Sequence, residues 1–112
     1  MKLLTKKIKD KLRKAGLYGN ENSVYESEVI VKLFNPSGTG TWYIIGGEEL
    51  DNGEWLLFGY CHIFMWELGS VSLKELEKFK SPFGLGIERD KFFEPCTLQD
   101  LIDGGYINES LF

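Results

Sequence analysis

Histidine and cysteine are scarce in this chain: His62 stands alone, and Cys61 and Cys96 are far apart in the sequence. The lack of a closely spaced cysteine pair and the single histidine argue against a zinc site built from those ligands. No apolar run approaches the ~20 residues that a membrane-spanning helix needs, so no span is expected. The glycine turns Gly38-Thr39-Gly40 and Gly84-Leu85-Gly86 lack the following lysine and helix of a phosphate loop. Internal repeats and low-complexity tracts are absent too. The opening MKLLTKKIKDKLRK has too short an apolar stretch for a secretory signal. That reading places the chain in the cytoplasm, where both cysteines are free thiols.

What remains is an ordinary globular composition with an unusual distribution of charge. At 112 residues the chain is long enough to bury a core without disulfides or metal, and it reads as a single domain over 1–112. Seven of its 13 basic residues lie in residues 1–14 against the single acid Asp10, a net +6. The rest is therefore −10, carrying six basic and 16 acidic residues. A surface of that sign repels nucleic acid over most of its area.

Local signals divide the chain into elements. Thr5 caps a basic amphipathic helix within residues 1–16, with Ile8, Leu12 and Ala15 on one stripe and Gly16 just past its end. Asn20 to Ser27 reads as a polar linker, and Glu28 to Phe34 alternates as a strand. The turn Asn35 to Gly40 returns the chain into a second strand, Thr41 to Ile45, ended by Gly46-Gly47. Glu54 to Cys61 is almost continuously apolar, as in a central strand covered on both faces, and Gly69 to Ser72 adds a short strand.

Ser72 then caps a helix, with Glu75 three residues on completing a capping box, and Leu73, Leu76 and Phe79 meet an apolar surface. Pro82 stops that helix near Lys80. A strand over Gly86 to Phe93 would point Ile87, Arg89 and Lys91 one way and Glu88, Asp90 and Phe92 the other. Thr97 caps a short last helix with Leu98, Leu101 and Ile102, closed by Gly104-Gly105. Residues 106–112 form a less ordered tail. The fold class expected is α+β: a mainly antiparallel sheet of four or five strands, packed with an N-terminal helix, a mid-chain helix and a short C-terminal helix.

Several of these segments carry a resemblance. Val31-Lys32-Leu33-Phe34, Thr41-Trp42-Tyr43, LFGYC, ELGSVSLKELE and GLGIERDKFFEP are similar to a family of small domains of unknown function. Conjugative plasmids, integrative elements and phages encode it, also as modules of larger proteins. The resemblance covers roughly residues 24–101, with the family-like core at 28–103, and extends to the amino-terminal LLT. It implies a mobile-element setting and no catalytic residues. The chain departs from the family pattern at His62 to Trp66, where relatives are Asp- and Gly-rich, and at Ser70, where an aromatic is common.

Three groups of residues are candidates for function. Glu88, Arg89, Asp90 and Glu94 form the densest polar cluster. Two carboxylates on one strand face suit metal binding or acid/base work, because repulsion raises one pKa. The plainer reading has Arg89, Lys91 or the helix lysines neutralising them. Lys6, Lys7, Lys9, Arg13 and Lys14 suit phosphate contact, although charge runs usually face solvent or pair with an acidic body. Phe64, Met65 and Trp66 follow Ile63 in a short connection, where they either plug the core or anchor a partner, with Trp55 or Trp42 nearby. Cys61 and His62 are neighbours that a strand turns to opposite faces, so they form no nucleophile and base pair; Cys96 with His62 is the remaining pairing.

The leading expectation is a non-enzymatic binding module of a mobile element, with a protein partner, that inhibits or modulates a host protein such as a defence nuclease. An acidic body mimics nucleic acid toward a basic target. The alternatives are a nucleic-acid-binding accessory domain using the first helix, and a metal-dependent enzyme using Glu88 and Asp90. No cofactor, metal or membrane partner is expected, and no residue is assigned a catalytic role. Self-association through an exposed Phe34 to Tyr43 hairpin edge is the remaining interaction considered.

Overall fold

Side-chain alternation along the middle strands decides the architecture, because apolar residues appear on both faces and each face therefore needs a cover. A computed structural model describes residues 2–20 and 22–108. Its elements run α1 (Lys6–Ala15), β1 (Val31–Phe34), β2 (Thr41–Glu49), β3 (Trp55–His62), β4 (Trp66–Ser72), α2 (Leu73–Lys78), β5 (Glu88–Arg89) and α3 (Leu98–Asp103). The sheet is antiparallel throughout, in the order β4-β3-β2-β1-β5. The α+β class, the five strands and the three helices agree with the sequence reading. No helix among the described residues is long and apolar enough to cross a membrane.

On one face Leu33, Ile44 and Leu57 pack with Leu12 of α1 and with Leu73 and Leu76 of α2. Leu3 and Leu4, ahead of α1, are buried in the same cluster. On the other face Tyr43, Ile45 and Tyr60 pack with Leu98 and Leu101 of α3 and with Ile107. The expectation of a loosely ordered tail therefore does not extend to Ile107; residues 109–112 lie outside the described residues.

The helix starts are local features and form as their sequences dictate. Thr5 Oγ1 accepts from Ile8 N at 3.2 Å, and Ser72 Oγ accepts from Glu75 N at 3.4 Å. The reciprocal capping box appears at α3, where Thr97 Oγ1 accepts from Asp100 N and Thr97 N donates to Asp100 Oδ2. α2 ends at Lys78, and Phe79, just beyond it, is exposed instead of covering the sheet.

Strand ends differ more. Gly46-Gly47 does not end β2, which runs on to Glu49 through a bulge at Ile45. Beyond Ile44 the place of β1 is taken by the loop that leaves α1, with Gly47 N donating to Gly16 O at 3.0 Å. A Cβ on Gly46 would overlap the carbonyl oxygens of Gly16 and Leu17 and stand 2.7 Å from Gly19 N, so glycine here lets a loop lie across a strand. β3 is an interior strand with core residues on both faces, as expected, while β2 lies at the middle of the five. The Asn20 to Ser27 linker contains a 3-10 turn over Val24–Glu26, and Ser27 is buried, accepting from Asn20 N at 2.8 Å.

β4 is longer than expected and starts at Trp66, so β3 and β4 form a hairpin joined by Ile63, Phe64 and Met65. β5 is shorter, because Asp90 Oδ1 accepts from Phe92 N at 3.0 Å and turns the chain out of the sheet. The Phe34 to Tyr43 hairpin is not an edge: β1 is paired on both sides, and so is β2. The sheet's long edge is β4.

Candidate functional site

The β3–β4 hairpin sets three large apolar residues at its tip. His62 pairs with Trp66 across the two strands, so the connection between them has no length in which to fold back on the core. Phe64 is 95 % exposed, Met65 51 % and Ile63 48 %. These residues do not plug the core. Trp66 is half-buried, with its ring 4.7 Å from that of His62 and stacked on Tyr43 at 5.8 Å. Trp42 and Trp55 are buried on the opposite face of the sheet and play no part at the tip; Tyr43 and Tyr60 back Trp66 instead.

From Trp66 the aromatic contacts continue inward. Tyr43 also meets Phe93, 5.9 Å away, in the loop that follows β5. Lys32 of β1 lies 5.8 Å from the Tyr43 ring centroid and 3.6 Å from the Asp90 carboxylate. Beside Tyr43 opens a cleft of about 360 Å³, with Phe93 and Leu101 in its walls and Phe92 and Tyr106 at its rim. Phe92 is 92 % exposed and Tyr106 67 %. Burial first, then the neighbouring Cys96 and Asp90, raises the Tyr43 pKa above 10.0.

The polar cluster of the sequence is dispersed by the fold. Arg89 turns to the α1 face, where its guanidinium donates to the carbonyls of Lys2 and Leu3, the latter at 3.2 Å. Asp90 is paired with Lys32 of β1, a partner that the sequence reading did not name. Glu88 lies opposite Phe34, and Glu94 is exposed in the following loop. A carboxylate already held by an ammonium is a poor half of a metal-binding pair. Among the described residues no three His, Cys, Asp or Glu side chains gather as a metal site. The thiols are poor nucleophiles: burial first, then Glu67, pushes Cys61 up to about 12, and burial with Asp100 and Glu28 raises Cys96.

The basic helix is partly engaged. Arg13 pairs with Asp10 at 2.9 Å and with Glu49 at 3.4 Å, and its guanidinium lies 5.3 Å from the Trp55 ring centroid. Lys11 reaches Glu28 at 3.8 Å. Lys6, Lys7 and Lys14 are exposed and Lys9 is half-buried, so the five candidate residues do not present one uniform phosphate-facing row.

Sequence reading missed Tyr43, Lys32, Phe92, Phe93 and Tyr106. The fold brings them together from four separate stretches, and only the β5 turn, signalled by Asp90 two residues before Phe92, is locally detectable.

A family model described as "Protein of unknown function (DUF2958)" matches residues 3–103. No curated protein and no solved structure matches the chain.

Proposed function

The chain belongs to the DUF2958 family, and from that premise and its own surface we propose that it is a non-enzymatic protein-binding module whose contact surface is the β3–β4 hairpin tip. The observation that carries this reading is the exposure of Phe64, 95 %, between two other exposed apolar residues on a short connection held by paired strands. Water penalises such a cluster, and aromatic residues presented this way are typical anchors of protein interfaces. The stack of Trp66 on Tyr43 stiffens the base of the tip, which lowers the entropy lost on binding.

The partner is a basic protein. A net −10 outside residues 1–14 gives long-range attraction to such a target and speeds encounter. In the mobile-element setting of the family resemblance, this fits an inhibitor or modulator of a host protein such as a defence nuclease. The exposed Lys6, Lys7 and Lys14 support a second reading, nucleic-acid binding through α1.

One experiment separates the two. The tagged chain and a Phe64→Ser/Met65→Ser variant are used to capture proteins from host lysate with and without nuclease. The expected result is nuclease-resistant retention of a basic protein, reduced at least about tenfold by the tip variant. Retention that the tip variant leaves intact removes the hairpin from the interface. Nuclease-sensitive retention lost on replacing Lys6, Lys7 and Lys14 by Gln replaces this reading with the second.

A further inference from the structure

We propose that the cleft beside Tyr43 receives an arginine side chain of the protein partner. This rests on the protein-binding reading above and names the chemistry that the partner brings. The cleft is lined by three carboxylates, Asp90, Glu94 and Asp100, and by the rings of Tyr43, Phe93 and the exposed Phe92 and Tyr106. Rings attract a cation through their negative faces, and carboxylates accept its hydrogen bonds.

The chain's own lysine displays the same chemistry in the wall of the cleft. Lys32 is held between the Asp90 carboxylate, at 3.6 Å, and the Tyr43 ring, at 5.8 Å from its centroid. That pair neutralises one charge of each sign and leaves Glu94 and Asp100 as the other carboxylates of the lining. One oxygen of Asp100 caps α3 by accepting from Thr97 N, and the other is not used by that cap. The pKa values of Tyr43 and Cys96 are raised first by burial, with Asp90 contributing at Tyr43 and Asp100 and Glu28 at Cys96, in keeping with carboxylates close to the lining.

A guanidinium suits this lining better than an ammonium. It is flat enough to stack on an aromatic ring of the lining, and its five donors can serve two carboxylates at once. A volume of about 360 Å³ accommodates one such side chain with its methylene stem. The cleft is also continuous with the hairpin: Tyr43 is in ring contact with both Trp66 at the base of the tip and Phe93 in the wall of the cleft. Tyr43 thus links the base of the hairpin to the cleft wall.

The test is an NMR titration of the full chain with acetyl-Gly-Arg-Gly-amide, and with the same peptide carrying citrulline, which keeps the shape and loses the charge. Saturable shifts confined to Tyr43, Phe92, Phe93 and Tyr106 are expected from the arginine peptide alone. Phe92→Ala combined with Glu94→Gln, both at exposed positions, should weaken binding roughly tenfold. Equal binding of the citrulline peptide, shifts scattered over the acidic β2–β3 turn, or no saturable shift would each overturn the inference. A lysine peptide binding as well as the arginine peptide would overturn the choice of guanidinium. The Phe64→Ser/Met65→Ser variant should still bind the arginine peptide. If that peptide fails while partner capture depends on the tip, the cleft assignment falls and the binding reading stands.

Discussion

At Gly46 the absence of one methyl group decides how α1 is joined to the sheet. The loop from Gly16 to Gly19 lies directly against the strand there, and no side chain fits between the two backbones. Gly46→Ala is therefore expected to destabilise the fold by about 2 to 3 kcal/mol, as overpacking against rigid neighbours does. Urea unfolding measures it; a loss within experimental error would mean that the loop moves away freely. The same residue shows why the sequence misleads here. A Gly-Gly pair after an apolar run is a sound signal for a strand end, and the residues that give it another meaning lie well upstream. The capping residues Thr5, Ser72 and Thr97 behave oppositely, because their hydrogen bonds reach only three residues and are legible in any short window.

Elements are held to one another by contacts that no single segment announces. Arg89 of β5 donates to the carbonyls of Lys2 and Leu3 and so ties the start of the chain to the sheet edge, placing Leu3 and Leu4 in the core under α1. Arg89→Ala should cost about 1 to 2 kcal/mol, the scale of charge-assisted hydrogen bonds at a partly exposed site. The distinguishing readout is amide exchange: protection should fall in residues 3–12 and persist in α3, and a uniform loss would show that Arg89 does not act on the amino-terminal segment in particular. The sequence signal at Arg89 was read as part of a charge cluster, because adjacent charges look alike until the strand's alternation and its neighbours assign each to a face. β4 was read short for a related reason. Trp66 ends an unbroken apolar run from Ile63, which hides where the strand begins, and its place beside β3 is set by the pairing of His62 with Trp66.

For the molecule as a whole, each face of the sheet contains a group that resists ionisation. Cys61 lies on the α1 face with its thiol pushed up to about 12, and Tyr43 and Cys96 on the α3 face are raised above 10.0 and 9.0. Above pH 9 the unfolded chain releases thiol protons that the folded chain retains, so stability falls as pH rises. The Cys61 contribution runs from pH 9 to about 12, with a slope of at most about 1.4 kcal/mol per pH unit for one group. Denaturant midpoints followed from pH 8 to 11 should decline, and in Cys61→Ala/Cys96→Ala the decline should start only above pH 10, where Tyr43 takes over. Parallel declines in the two proteins would show that the thiols contribute nothing.

By itself the sequence determined the α+β class, the helix starts, the order of strands along the chain and the exposed character of its first helix, since these follow from periodicity and from caps that act over three or four residues. It also singled out Phe64, Met65 and Trp66 as residues that either plug the core or anchor a partner, and the pairing of His62 with Trp66 then decided that Phe64 and Met65 are exposed. Tertiary structure alone decided that β2 is the centre of the sheet, that Arg89 and Asp90 serve opposite faces, and that Tyr43 joins the hairpin tip to a cleft lined by Phe93 and Tyr106. Strand alternation states only that neighbouring residues part company; which partner each then meets depends on strand order, and strand order is fixed by burial summed over the whole chain.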